Sequence, residues 1–132
     1  MEITLNHTVI PAKNRRESAK WYEKVFGFEY LKDWGPFSVV KVNSTLTLDF
    51  EDSYRDGLSL HYAFKMSDNE FDRILGLLKE MEVMLASDPA EAEKGKFDGE
   101  IYTHNGGRGV YFLDPSTHLL EIMTMDYDLD NW

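Results

Sequence analysis

Two histidines and two carboxylates occupy matched positions in the two halves of the chain. Laying "ITLNHTVIP" over "GLSLHYAFK" places His7 opposite His61, and laying "STLTLDF" over "STHLLEI" places Asp49 opposite Glu121. The chain has no cysteine, so a metal ion would have to be held by imidazole and carboxylate groups. These four residues are therefore candidate ligands of a divalent Fe, Mn, Zn or Ni ion with open coordination positions.

The alternation of side chains along a strand separates these residues from the apolar ones. Glu121 alternates with Leu120 and Ile122 in "HLLEIMT", and His61 shares its face with small residues in "LSLHYAFKM". We expect each apolar face to pack on a helix and the face with the candidate ligands to line a cavity. The alternative is that each polar residue faces water or is hydrogen-bonded in place.

The elements that would position these residues follow the same order twice. A strand ending at Pro11 is followed by a helix with Asn14 as N-cap and Gly27 at its end, and then by three strands at about 28–33, 37–42 and 45–50. The second half has a strand, a helix capped by Ser67, and the strands "RGVYFLD" and "HLLEIMT", whereas the strand expected between residues 84 and 100 is weakly marked. The pattern predicts a single domain of two βαβββ modules, about residues 1–56 and 57–132.

Composition narrows the choice of partners. The 132 residues are 42% hydrophobic, which fits one domain, and the net charge of -10 disfavours binding to a nucleic-acid backbone. No apolar run reaches the roughly 20 residues that span a bilayer, and "MEITLNH" lacks the features of a signal peptide. We therefore predict a cytoplasmic protein that binds a small molecule, with neither nucleic acid nor membrane as a partner.

The segments "LNHTVIPAKNRRESAKWYEKVFGF" and "GGRGVYFLDPSTHLLEIMT" resemble the vicinal oxygen chelate superfamily. That superfamily includes glyoxalase I, bleomycin-resistance proteins, fosfomycin-resistance thiol transferases and extradiol dioxygenases, and the resemblance covers nearly the whole chain. It implies an α+β fold in which two βαβββ modules form a curved, incomplete mixed β-barrel around a metal ion. By position it implies His7, His61 and Glu121 as ligands, with Asp49 at or beside a fourth position.

The turn before the last strand departs from the family pattern. The superfamily usually has Asp-Pro-Asp-Gly here, whereas this chain has Asp114, Pro115, Ser116 and Thr117. Because the turn lacks glycine, it must either avoid a positive φ angle or accept strain.

Several functions share this scaffold, so the resemblance leaves the activity open. The leading interpretation is a metal-dependent lyase, isomerase or dioxygenase that binds two neighbouring oxygens of a small substrate. Two histidines and one carboxylate suit an Fe(II) oxygenase, whereas Asp49 as a further ligand would suit a lyase or isomerase. The alternative is a metal-free protein that sequesters a drug, as bleomycin-resistance proteins do. A thiol transferase is disfavoured because the sequence has no clear basic cluster for a phosphonate.

Two further expectations concern the catalytic residues and the assembly. Glu121 would be a catalytic residue as well as a ligand, and Arg108 would hold a substrate carboxylate at the cavity mouth, the alternative being a surface salt bridge. Each module leaves strand edges and apolar surface exposed, so we expect a homodimer that buries more than about 1,200 Å² in total.

Overall fold

The computed structural model describes residues 1–131, and Trp132, the last residue of the predicted second module, lies outside the described residues. The chain divides into two compact units. The first unit contains residues 1–58 together with 114–116, and the second contains residues 59–113 together with the chain from Thr117 onwards.

The first unit is a four-stranded mixed sheet with one helix. Its elements are β1 (His7–Pro11), α1 (Arg15–Phe26), β2 (Glu29–Trp34), β3 (Phe37–Asn43) and β4 (Leu46–Glu51). The strand order is β1-β4-β3-β2, in which β1 and β4 are parallel and the other pairs are antiparallel. Helix α1 begins where the Asn14 side chain accepts a hydrogen bond from the Glu17 amide, and it ends at Gly27 with φ of 80°.

The second unit repeats this sheet. Its elements are β5 (His61–Lys65), α2 (Asp68–Glu80), α3 (Pro89–Glu93), β6 (Tyr102–His104), β7 (Gly107–Leu113) and β8 (Leu119–Met123), followed by a 3₁₀ turn at Leu129–Asn131. The strand order is β5-β8-β7-β6, again with one parallel pair, β5 with β8. Ser67 caps α2 by accepting a hydrogen bond from the Glu70 amide. The predicted α+β class and the two βαβββ units are confirmed.

Each sheet packs one face against its helix. In the first unit Tyr22 of α1 contacts Phe50 of β4, with ring centroids 4.7 Å apart, and Ile10 pairs with Phe50 across the parallel strands. In the second unit the apolar side chains of α2 and of the α2-facing side of the sheet are buried, including Phe71, Ile74, Leu78, Val110, Phe112, Leu120 and Ile122. The opposite face of each sheet is therefore the one that carries the candidate ligands.

The prediction of a strand between residues 84 and 100 is wrong. Ala86 makes a single bridge to Tyr111, with two backbone hydrogen bonds of 2.9 Å, and the chain then turns into α3. The reason is local: the Asp88 side chain caps the helix and Pro89 occupies its first turn, where its missing amide is not needed.

The turn without glycine accepts strain. Thr117 has φ of 65°, in the left-handed region that β-branched residues avoid. The described part of the chain also contains no helix with the length and apolarity needed to cross a membrane.

Candidate metal centre

His61 is held in one orientation by the neighbouring strand. Its Nδ1 lies 2.9 Å from the backbone oxygen of Leu119, its register partner on β8. A carbonyl oxygen can only accept, so Nδ1 must carry the hydrogen. In the neutral imidazole this leaves a lone pair on Nε2, the arrangement in which histidines ligate metals while a backbone carbonyl orients the ring.

Glu121 faces that nitrogen from the middle of β8. Its side chain is only 2% exposed, and its Oε1 lies 3.3 Å from His61 Nε2. Two atoms that each bind one ion at about 2.0–2.2 Å lie roughly 3.0–3.5 Å apart when the bonds meet at about 90–109°. The distance between the two atoms therefore fits a shared divalent ion. The ion would lie between two atoms that each offer it a lone pair.

Two tyrosines enclose the carboxylate. The Tyr102 hydroxyl donates to Glu121 Oε2 at 2.5 Å, and the ring centroids of Tyr102 and Tyr111 are 5.6 Å apart. Burial first, and then the hydrogen bond and charge of Glu121, raise the pKa of Tyr102 well above its usual range. Burial, and then the Glu121 charge, likewise raise the pKa of Tyr111. Both phenols therefore keep their protons at neutral pH, and Tyr102 acts as a donor.

Tyr102 is not among the residues predicted from the sequence, although the register of a β-hairpin could have identified it. Residues directly opposite each other on paired strands point to the same face of the sheet. Tyr102 is opposite Gly109, and Tyr111 is opposite Glu121. A hairpin centred on "HNGGRG" would have predicted that Tyr102 and Tyr111 lie on the same side as Glu121.

Arg108 lies on the opposite face of β7, against α2. Its Nη2 is 2.9 Å from Asp68 Oδ1 and its Nη1 is 2.8 Å from Asp72 Oδ1, and its guanidinium lies 4.5 Å from the centre of the Phe71 ring. These two carboxylates raise the pKa of Arg108. Arg108 thus makes the surface salt bridge that was the alternative interpretation, on the side of the strand that also carries Val110 and Phe112, and its role in holding a substrate carboxylate stays a prediction.

The other two predicted ligands belong to the first unit. His7 is exposed on the face away from α1, and its Nδ1 lies 2.7 Å from the Asn6 side-chain oxygen. Asp49 is 7% exposed and accepts a hydrogen bond of 2.9 Å from the Thr47 hydroxyl. Within residues 1–131, no three His, Asp or Glu side chains gather into a group that could hold a metal. The three-ligand site of His7, His61 and Glu121 stays a prediction.

The two remaining histidines lie outside this pair. His118 is fully buried, and its Nδ1 accepts a hydrogen bond of 3.0 Å from the Leu60 amide, so it packs and caps rather than binding a ligand. His104 is exposed at the end of β6.

The repeated βαβββ units, with His61 on the first strand of the second unit and Glu121 on its last, define the class of protein. The chain belongs to the Glyoxalase/Bleomycin resistance protein/Dioxygenase superfamily, whose model matches residues 4–122. The family predicted from the sequence is thus confirmed.

Among particular proteins, the solved structures of two oxidases are similar over almost their whole length. Oxidase ChaP-H2 has a TM-score of 0.89 and 37% identity, covering 97% of this chain and 98% of the other. Oxidase ChaP-H1 has a TM-score of 0.86 and 39% identity, covering 96% and 99%. The metallothiol transferase FosB of Lysinibacillus sphaericus (strain C3-41) is 27% identical over 126 residues, which are 92% of this chain and 82% of the relative.

Proposed function

We propose that the protein is a metal-dependent oxidase or dioxygenase of this superfamily that acts on a small molecule with two neighbouring oxygens. The observation that carries the proposal is the position of His61 Nε2, 3.3 Å from Oε1 of the buried Glu121. The backbone oxygen of Leu119 orients the imidazole, and the Tyr102 hydroxyl donates to the other oxygen of the carboxylate. The 37% and 39% identity to two structures named as oxidases supports oxidation over isomerisation.

The proposed ligands are His61, Glu121 and, as the family resemblance implies, His7. Two histidines and one carboxylate form the set found in Fe(II) oxygenases, which leaves coordination positions for substrate and dioxygen. When bound, a divalent ion would hold the substrate oxygens and stabilise the negative charge that develops on them. Asp49 is a further candidate, at or beside the fourth position that the resemblance implies, and one of its oxygens accepts a hydrogen bond from the Thr47 hydroxyl.

The residues of the second unit have separate tasks in this proposal. Leu119 O fixes the His61 ring so that Nε2 faces the carboxylate. The faces of Tyr102 and Tyr111 exclude water from one side of Glu121 and offer an aromatic wall to a planar substrate. Glu121 contributes the negative charge that a divalent ion requires.

Metal binding by the untagged protein tests the proposal most directly. The protein is stripped with a chelator, and the binding of Mn(II) and of Fe(II) under nitrogen is measured by calorimetry. We expect one ion per chain, and we expect His61→Ala and Glu121→Gln to lower metal affinity at least about 100-fold. Loss of a residue that only orients a ligand already lowers metal affinity about 10-fold to 100-fold, so loss of a ligand should cost at least the upper value. His7→Ala tests the third ligand, and His104→Ala is the matched control because His104 is an exposed histidine of the same unit.

Oxygen consumption then separates oxidation from the alternatives. A panel of catechols, enediols and 2-hydroxyketones is presented to the Fe(II)-loaded and the stripped protein in an oxygen electrode. We expect uptake only with metal present. A metal-free sequestering protein would instead bind its small molecule equally well after chelation and in the His61→Ala variant, and that result would overturn the proposal.

The assembly and location remain proposals as well. A homodimer would sediment as a species heavier than the single chain of 15.4 kDa at micromolar concentration. The predicted cytoplasmic location can be tested by fractionating cells that express the chain.

A further inference from the structure

We propose that Tyr102 is a positioning residue of the metal centre, and that Gly109 exists in this strand to let its ring lie there. This inference rests on the proposed function, because it concerns how the protein presents Glu121 to the ion. The phenol binds Oε2 of Glu121 while Oε1 faces His61, so the two oxygens of one carboxylate have different partners.

The hydrogen bond from Tyr102 is short and shielded from water. It measures 2.5 Å, and its acceptor belongs to a side chain that is 2% exposed. A protonated phenol donating to a charged oxygen forms a strong, charge-assisted hydrogen bond. This hydrogen bond orients the carboxylate, so that Oε1 is the oxygen nearest to His61 and to an ion bound beside it.

Gly109 provides the space for this arrangement. It is the register partner of Tyr102 across the β6–β7 hairpin, and a Cβ added at Gly109 would lie 2.1 Å from Tyr102 Cζ and 2.2 Å from the hydroxyl oxygen. Real Cβ atoms essentially never come within 3.0 Å of another heavy atom. The ring therefore rests directly on the strand backbone, which explains a glycine in a strand interior where it is otherwise unfavourable.

If Tyr102 has this role, two different substitutions should have the same effect on metal binding. Tyr102→Phe removes the hydroxyl and leaves the ring in place, whereas Gly109→Ala leaves the hydroxyl and displaces the ring. If Tyr102 positions Glu121, both variants must weaken metal binding in the same direction. Two matched controls are available: Tyr62→Phe removes a hydroxyl on the other face of β5, and Gly76→Ala adds a methyl group where nothing lies within 4 Å.

The experiment measures binding of Mn(II) alone by calorimetry and the visible absorption of bound Co(II), for the whole chain and each variant. We expect Mn(II) affinity to fall about 10-fold to 100-fold in Tyr102→Phe and Gly109→Ala, the range for loss of an outer-shell partner, and to change less than about twofold in both controls. The Co(II) absorption should also change in the two test variants, because it reports coordination and a purely structural role would not move it.

The outcomes separate this inference from the proposed function. If the wild-type protein binds metal and His61→Ala does not, the centre exists. If Tyr102→Phe then matches the wild type in Mn(II) affinity and Co(II) absorption, the positioning role is wrong while the proposed function stands. If the wild-type protein binds no metal, both are overturned. Circular dichroism checks folding, and Tyr102→Phe decides the matter alone if Gly109→Ala does not fold.

Discussion

Replacing Thr117 with glycine should stabilise the protein, because the turn before β8 holds a β-branched residue at φ of 65°. The left-handed conformation costs an L-residue about 1–2 kcal/mol. Glycine avoids this cost but gives the unfolded chain more freedom, which offsets about 0.5–1 kcal/mol. The expected net gain is therefore about 0.5–1 kcal/mol.

Urea unfolding followed by circular dichroism measures this gain, and a thermal scan should show a midpoint about 2–4 °C higher for a chain of 132 residues. Thr117→Ala is the matched control. It removes the hydroxyl and methyl group, as glycine does, but keeps the Cβ that makes the left-handed conformation unfavourable. The hydrogen bond from the Ser59 hydroxyl to the Thr117 backbone oxygen remains possible in every variant.

The difference in stability between Thr117→Gly and Thr117→Ala tests whether backbone strain is the cause. If Thr117→Gly is no more stable than Thr117→Ala, backbone strain at this position is not the cause. Metal binding at the proposed centre should be unchanged in either variant, because two other contacts anchor the start of β8. His118 accepts a hydrogen bond from the Leu60 amide, and the Leu119 amide donates to the Leu60 oxygen.

Three further outcomes follow from other contacts. Tyr22→Phe removes a 2.7 Å donor from the buried carboxylate of Asp114 and should lower the free energy of unfolding by about 1–3 kcal/mol in urea titrations. Arg108→Ala should lower stability modestly and leave Mn(II) and substrate affinity unchanged, because its guanidinium binds Asp68 and Asp72; a loss of substrate binding would instead support its predicted role. The hydrogen bond from Tyr30, then those from Ser38 and Arg16, lower the pKa of Asp33 below its usual value of 3.8, so its stabilisation is present above that pH and lost below it. The stability difference between wild type and Asp33→Asn should thus shrink from about pH 5 to about pH 2.

The fold could be predicted because its signals are local and repeated. Asn14 and Ser67 mark helix starts by capping, Gly27 marks an end, and the strands alternate apolar and polar residues. The helix α3 carried an equally local signal, Asp88 followed by Pro89, but the expectation of a second module identical to the first outweighed it. Repetition predicted the architecture and misled only where the two units differ.

The site could be predicted only in part, because it depends on which face each strand presents. Alternation placed His61 and Glu121 on one side correctly, and the same rule applied to β7 would have placed Arg108 with Val110 and Phe112, away from them. The prediction of Arg108 relied on its nearness to the glycines in the sequence. Tyr102 was missed because β6 has only three residues, too few to show an alternation.

The burial of Glu121 is not explained by packing alone and indicates a functional role for this carboxylate. Replacing a buried ionic group with a well-packed apolar one is often neutral or stabilising, by about 1–4 kcal/mol. A leucine would therefore serve β8 at least as well if packing were its only role. Instead the chain supplies the carboxylate with His61, a tyrosine hydroxyl and a glycine that makes room for the tyrosine ring. None of these partners carries a positive charge while the imidazole is neutral, and the proposed divalent ion would supply one.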